Sequence, residues 1–338
     1  MAADSQVPFL FHYQNLTELE YFFLHENGGI AGNIPNQYSS LRKMKYFYLR
    51  SNGLAASFPP CVLNFSMLQS LDLGNNSISG HIPLDICSHL PSISGIYLSY
   101  NQLKGKIFPS NISGCSRLSD LSLSFNKLEG PIPRNFGNLT SLRRLFLGHN
   151  NLMGEIPDTI GNLRQLEILS VMNANLFGII PLEMGDLNNL QQLDLSVNNL
   201  IGSIPSRIFN ISGLYKLSLT ANNLTGKISS SVKMSVPNLI GISIDMNSLS
   251  GNIPSFLVNA SKLEFLDISS NEFSGIIPLE MGDLNNLQQI YLGENNLIGS
   301  IPPRIFNISG LYIVSLEANN LSGKIPSSVK MSVPNLNI

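Results

Sequence analysis

Charge is scarce in this sequence. Only 12% of its 338 residues are Asp, Glu, Lys or Arg, and the net charge is −2. A balance so close to neutral argues against nucleic acid or an anionic membrane as the main partner. Long apolar runs are missing as well, so no membrane-spanning helix and no direct membrane contact are expected of these residues. The opening stretch "MAADSQVPFLFHYQ" has no basic region and only a short apolar run, and does not read as a secretion signal. The three cysteines, Cys61, Cys87 and Cys115, exclude a fully paired set. Each lies where a small apolar side chain suits a core, so buried free thiols are expected, with a Cys61–Cys87 bridge as the alternative. The five histidines, His12, His25, His81, His89 and His149, form no H-E-x-x-H, and no G-x-S-x-G occurs. The carboxylates are scattered. No catalytic residue, metal site or cofactor is assigned, and no enzyme is expected.

What the chain does have is repetition. "PLEMGDLNNLQQ" occurs at Pro181–Gln192 and again at Pro278–Gln289. Each copy leads into L-x-L-x-x-N-x-L-x-G-x-I-P, and that phrase recurs throughout. Its Asn falls at Asn27, Asn52, Asn76, Asn101, Asn126, Asn150, Asn198, Asn222, Asn247, Asn271, Asn295 and Asn319, with Ala174 in the same register. Successive spacings are 24 or 25. This period, with Leu and Asn at these places, is that of a leucine-rich repeat solenoid. The expected fold is an α/β-type superhelix of thirteen coils of 24–25 residues over 16–338, with a parallel β-sheet on its concave face. A further coil starts at Asn335–Ile338, and residues 1–15 read as an extension or partial coil without a cysteine cap.

Each position of the phrase has a physical reason. The two Leu of L-x-L point inward and their neighbours outward. The Asn amide is expected to satisfy buried backbone groups of its own turn and of the next coil. The Gly suits positive φ. Pro tolerates an irregular segment, without ladder pairing, on the far side. At Ala174 a local shift or a water is expected to stand in for the amide. These positions are structural and carry no functional weight.

Function is expected on the outward strand positions. The central column contains Phe23, Tyr48, Asp72, Tyr97, Ser122 and Phe146 in the first coils, and flanking positions add Tyr46, Arg50, Tyr100, Phe125, Arg143, Arg144 and His149. Aromatics interleaved with Arg are enriched in binding hot spots. Tyr46, Tyr48, Arg50, Tyr97, Tyr100, Phe125, Arg143, Arg144, Phe146 and His149 are therefore the candidate ligand-binding residues. The opposing reading is that the rings only pack on one another up the sheet. Later coils are acidic, with Asp245, Glu264, Asp267, Glu294 and Glu317. The duplicated segments Gly178–Leu239 and Gly275–Leu336 differ at ten positions. Five of these are read as outward on strands: Asp194/Tyr291, Ser196/Gly293, Val197/Glu294, Lys216/Ile313 and Thr220/Glu317. That fits a scaffold held fixed while one face diversifies.

The phrase N-x-L-x-G-x-I-P, as in "NNLMGEIPDTIGNLRQLEIL", closely resembles the plant-specific leucine-rich repeats of receptor-like kinases and receptor-like proteins. "NNLIGSIPSRIFNISGLYKLSL" resembles the subfamily that includes receptors for bacterial patterns. The resemblance implies a ligand-recognition module for immune or developmental signalling, with a peptide or protein ligand and a co-receptor kinase docking near the C-terminal coils. It implies the extracellular face of the plasma membrane or the apoplast, whereas the chain as given, without a signal, would stay in the cytoplasm. The family's paired-Cys cap, membrane span and kinase are absent from these residues, so a fragment or truncated product is expected. The alternative is a secreted inhibitor similar to those of cell-wall polygalacturonases. Ten N-x-S/T triplets, at Asn15, Asn64, Asn75, Asn111, Asn138, Asn210, Asn223, Asn259, Asn307 and Asn320, are glycan candidates in a secreted chain, although phrases such as "GNLT" and "NNLS" arise from the repeat itself.

Overall fold

The computed structural model describes residues 16–107, 112–228 and 236–325. The expectations placed on residues 1–15, His12, Asn15, Asn111 and the coil starting at Asn335–Ile338 fall outside these. The chain divides into two units, Met1–Leu166 and Glu167–Ile338.

In the first unit six three-residue strands pair in parallel: Tyr21–Phe23, Tyr46–Tyr48, Ser70–Asp72, Gly95–Tyr97, Asp120–Ser122 and Arg144–Phe146. In the second unit seven do so: Ile168–Ser170, Gln192–Asp194, Lys216–Ser218, Gly241–Ser243, Phe265–Asp267, Gln289–Tyr291 and Ile313–Ser315. Strand alternation holds throughout. Phe22, Phe47, Leu71, Ile96, Leu121 and Leu145 are buried at the strand centres, as are Leu49, Leu73, Leu98, Leu123 and Leu147 two residues on. Each coil's apolar stripe is thus covered by its neighbours, the condition for a solenoid to hold together.

The asparagine ladder forms as expected. Asn126 is 9% exposed. Its Nδ2 donates to Leu98 O at 3.0 Å and Leu123 O at 3.1 Å, and its Oδ1 accepts from Leu103 N at 2.9 Å. One amide thus joins its own turn to the preceding coil. The Gly column has positive φ, for example 84° at Gly130 and 82° at Gly226.

Of four further expectations, two hold and two need correction. First, the coil containing Ala174 shows the expected local shift: Asn175 joins Asn173 at positive φ, 56° and 50°, where other coils have one such residue before the ladder position. Ala174 is fully buried, and Asn198 Oδ1 accepts from both Ala174 N at 3.2 Å and Leu176 N at 3.0 Å. Second, the I-P segment is irregular, as expected, but the stretch between the Asn and that segment is not ladder-free. It forms short parallel side strands, among them Gln102–Lys106 paired with Lys127–Gly130, and Asn223–Lys227 paired with Ser248–Asn252. In most coils the x-L-x residues run extended up to the positive-φ Gly, so their backbone groups find partners one coil away. Third, the far side is not α-helical in the manner an α/β-type superhelix implies. Among the described residues only Ile86–His89 is α-helix, and the other coils use 3-10 turns such as Arg134–Asn138. Five residues entered from a proline are too few for stable α turns. Fourth, Cys87 and Cys115 form a disulfide with Cα atoms 4.8 Å apart, and Cys61 is the free, buried thiol. Cys87 lies in the helix Ile86–His89 and Cys115 in the turn Ser113–Cys115, and these two segments pack together. The reading of three free thiols, and the Cys61–Cys87 alternative, are both overturned.

Candidate functional site

All ten candidate residues lie in the first unit, where strand register sorts them into lanes. One lane holds Tyr21, Tyr46, Ser70, Gly95, Asp120 and Arg144, and the next outward lane holds Phe23, Tyr48, Asp72, Tyr97, Ser122 and Phe146. Past the inward Leu comes a lane with Arg50, Gly74, Ser99, Ser124 and Gly148. The last lane holds Ser51, Asn75, Tyr100, Phe125 and His149, and backbone bonds such as Tyr100 N to Ser124 O at 2.9 Å tie these two lanes together.

The first two lanes are not a row of freely projecting rings. Tyr97 lies along the sheet over Gly95, since a Cβ at Gly95 would sit 2.8 Å from its ring. The Tyr48 hydroxyl donates to Ser70 Oγ at 2.9 Å, and that of Tyr46 to Gln69 Oε1 at 3.0 Å. Small residues in one lane thus make room for rings from the next. Tyr21 stacks on Tyr46 with centroids 5.3 Å apart, and Phe23 lies 5.0 Å from Tyr48. The mutual packing weighed against binding is therefore real for Tyr46 and Tyr48. Each is half-buried.

Charge clusters around Tyr97. Arg144 donates through Nε to Asp120. Burial pushes the Tyr97 hydroxyl above its ordinary pKa, and the nearby Asp120 carboxylate adds to this while Arg144 opposes it. Burial also raises Asp72, against the Gly74 N–H that donates to its Oδ1 at 2.9 Å and the positive charge of Arg50. Arg143 is exposed one residue before the strand, and Phe146 is half-exposed with Ser122 between it and Tyr97.

The fourth lane was not legible in its true form. Tyr100, Phe125 and His149 have left-handed backbones, with φ of 58°, 56° and 53°. This region is uncommon for residues with side chains and strained for bulky ones. The three rings form one continuous stack: Tyr100 to Phe125 with centroids 4.1 Å apart, then Phe125 to His149 at 4.0 Å. Between this stack and Tyr97 and Phe146 runs the lane Gly74, Ser99, Ser124 and Gly148. It has no large side chain, so the surface dips there. The sequence signal for the stack was the position just before the ladder Asn, where the strand ends and the chain bends.

In the second unit the acidic residues have local partners. Asp245 accepts from Thr220 Oγ1 at 2.6 Å, Asp267 from Ser269 Oγ at 2.6 Å and Glu317 from Ser315 Oγ at 2.7 Å. Of the five diversified pairs read as outward, Ser196/Gly293 is buried instead, because Ser196 turns back onto Asp194 Oδ1. A hollow of about 530 Å³ opens on this unit's strand face around Gly241, between Lys216 and Phe265. The signal for it was a glycine in a lane that otherwise carries side chains in this unit. Among the described residues no group of three or more His, Cys, Asp or Glu is placed to hold a metal, and no helix is long and apolar enough to cross a membrane.

Family models for the leucine rich repeat match residues 104–152 and, in a second form, 67–89, 189–211, 262–284 and 286–308. The receptor protein-tyrosine kinase CEPR1 of Arabidopsis thaliana is 38% identical over 77 residues, which is 22% of this chain and 8% of that protein. The TDR receptor structure superposes with a TM-score of 0.84 at 29% identity, over 94% of this chain and 59% of that one. The ectodomain of the Arabidopsis receptor kinase HAESA, solved with an N-terminally extended IDA peptide hormone, gives 0.87 at 29% identity, over 98% and 55%. The chain is a plant-type leucine-rich-repeat solenoid. It spans 59% and 55% of those two structures, and its repeat is similar to those of plant receptor kinases and receptor-like proteins.

Proposed function

We propose that this leucine-rich-repeat chain is the ligand-recognition part of a plant cell-surface receptor for immune or developmental signals, standing outside the cell. Its binding surface is the first unit's strand face. The observation that carries the reading is the low lane Gly74, Ser99, Ser124 and Gly148. It is bordered on one side by Tyr97 and Phe146 and on the other by the stack Tyr100–Phe125–His149. Neighbouring coils are about 4.8 Å apart and an extended chain rises about 3.3 Å per residue. Four coils therefore take roughly four or five residues of an extended peptide laid across the strands. The aromatic borders would cover its apolar side chains, and Arg143 and Arg144 would receive its carboxylates. HAESA, similar in structure, has been solved with a peptide hormone, and also with the co-receptor SERK1, which supports a co-receptor for this chain too.

The test uses linear peptides selected from a displayed library on the secreted chain. Tyr97→Ala, Phe125→Ala and Phe146→Ala should each weaken binding by about thirtyfold, the equivalent of about 2 kcal/mol for a buried aromatic anchor. Arg134→Ala, on a 3-10 turn, should leave it unchanged. Full binding by all three aromatic variants, with unchanged circular dichroism, would remove the first unit's face from consideration.

A further inference from the structure

Eight of the ten N-x-S/T triplets fall on described residues, and the coil geometry sorts them. Six of the described 3-10 turns end on asparagine, at Asn64, Asn138, Asn162, Asn210, Asn259 and Asn307. All but Asn162 complete a triplet. The residue after the ladder position is also Asn in six coils, Asn151, Asn175, Asn199, Asn223, Asn296 and Asn320, yet only Asn223 and Asn320 complete one. A scaffold preference for Asn does not therefore account for the hydroxyl residue two places on.

The geometry repeats at Asn64, Asn138, Asn210, Asn259 and Asn307. In each triplet the Asn is exposed, the middle residue is buried, and the Ser or Thr is exposed. The buried middle residues are Phe65, Leu139, Ile211, Ala260 and Ile308. No hydrogen bond occupies these five side-chain amides among the described residues. Asn75 and Ser77 are exposed too, but this triplet differs in its middle residue, its amide and its place in the coil. Asn75 sits at the edge of the strand face with φ of 52°, and its amide donates to Ser51 Oγ at 3.1 Å. Its middle residue is the ladder Asn76, whose amide is committed to Leu49 O and Leu73 O. A glycan there would stand beside Tyr100, the next residue of the same lane. The Cys87–Cys115 disulfide is an independent sign of an oxidising compartment, the environment in which secreted chains mature.

We propose that Asn64, Asn138, Asn210, Asn259 and Asn307 carry N-linked glycans and that Asn75 does not. Each unit then bears its oligosaccharides on the 3-10 side and keeps its strand face bare. The transfer forms a bond between Asn Nδ2 and the first sugar's anomeric carbon. The donor is a lipid-linked oligosaccharide diphosphate, which leaves as the lipid diphosphate while the amide gives up one proton. The proposal rests on the extracellular reading above. Asn223 and Asn320, on the side strands, follow the scaffold pattern and form no part of it.

The test is site occupancy. The full chain is secreted from insect cells behind a heterologous signal, its glycans are released enzymatically in heavy-oxygen water, and mass spectrometry reads which Asn carries the label. Label at all five turn positions and none at Asn75 is expected. Label at Asn75, or any of the five left wholly unmodified in folded, secreted material, overturns the proposal. Occupancy is read without any ligand, so a correctly glycosylated chain that captures no peptide would refute the binding reading alone.

Discussion

Asn198 should be the most costly ladder residue in the second unit to remove. In an ordinary coil the ladder has redundancy. Leu195 O accepts from Asn198 Nδ2 and from Asn222 Nδ2, both at 3.0 Å, so losing either amide leaves the carbonyl a partner. Asn222→Ala orphans one buried group, the Leu200 N–H that donates to its Oδ1 at 3.0 Å. That costs about 1–3 kcal/mol. Ala174 removes this redundancy one coil earlier. Asn198 alone serves Val171 O at 2.8 Å, Ala174 N at 3.2 Å and Leu176 N at 3.0 Å. Asn198→Ala therefore strands three groups and should cost two to three times as much as Asn222→Ala. Adding Ala174→Asn to Asn198→Ala should recover part of the loss, since a second amide then reaches Val171 O. The assay is urea unfolding followed by circular dichroism, with the slope compared between variants because repeat arrays can unfold in stages. Equal losses for Asn198→Ala and Asn222→Ala would refute the redundancy argument.

Three further outcomes are expected. Thiol titration of the unreduced chain should find nothing reactive while it is folded and one thiol once it is denatured. That thiol is Cys61, which is 2% exposed and whose pKa burial pushes up to about 12. Cys87→Ser should cost about 3–4 kcal/mol, from the chain entropy of reopening a 28-residue separation; melts with and without reductant would show it. Asp72→Asn should stabilise the chain at neutral pH. The raised pKa means the folded state favours the protonated acid, so the ionised form costs stability as pH climbs above the ordinary carboxylate range. The gain should fade in acid, and a stability difference that grows on acidification would contradict the burial argument.

The coil, its period and the inward Asn were legible because each is a local consequence of spacing. Leu121 and Leu123 must share a face, and Asn126 must then meet the turn. What escaped depended on neighbours one coil away. Cys87 and Cys115 stand 28 residues apart, and only the packing of their two segments brings their Cα atoms to 4.8 Å. The tilt of Tyr97 over Gly95 needed the register of two lanes, and the stack of Phe125 needed its left-handed backbone, which nothing in an aromatic residue announces. Ser196 read as outward by alternation, yet the carboxylate of Asp194 holds it under the surface.

The most direct test of the binding surface places an obstacle in the middle of it. Ser122→Asn completes an N-x-S triplet with Leu123 and Ser124, between Tyr97 and Phe146 in one lane. Secreted with its new glycan, this variant should lose the library-selected peptides altogether. The companion Ser122→Asn with Ser124→Ala, which cannot accept a glycan, should keep binding within a few-fold of the parent chain. Unimpaired binding by the glycosylated Ser122→Asn variant, its occupancy confirmed by mass spectrometry, would contradict the claim that ligand lies on the first unit's strands.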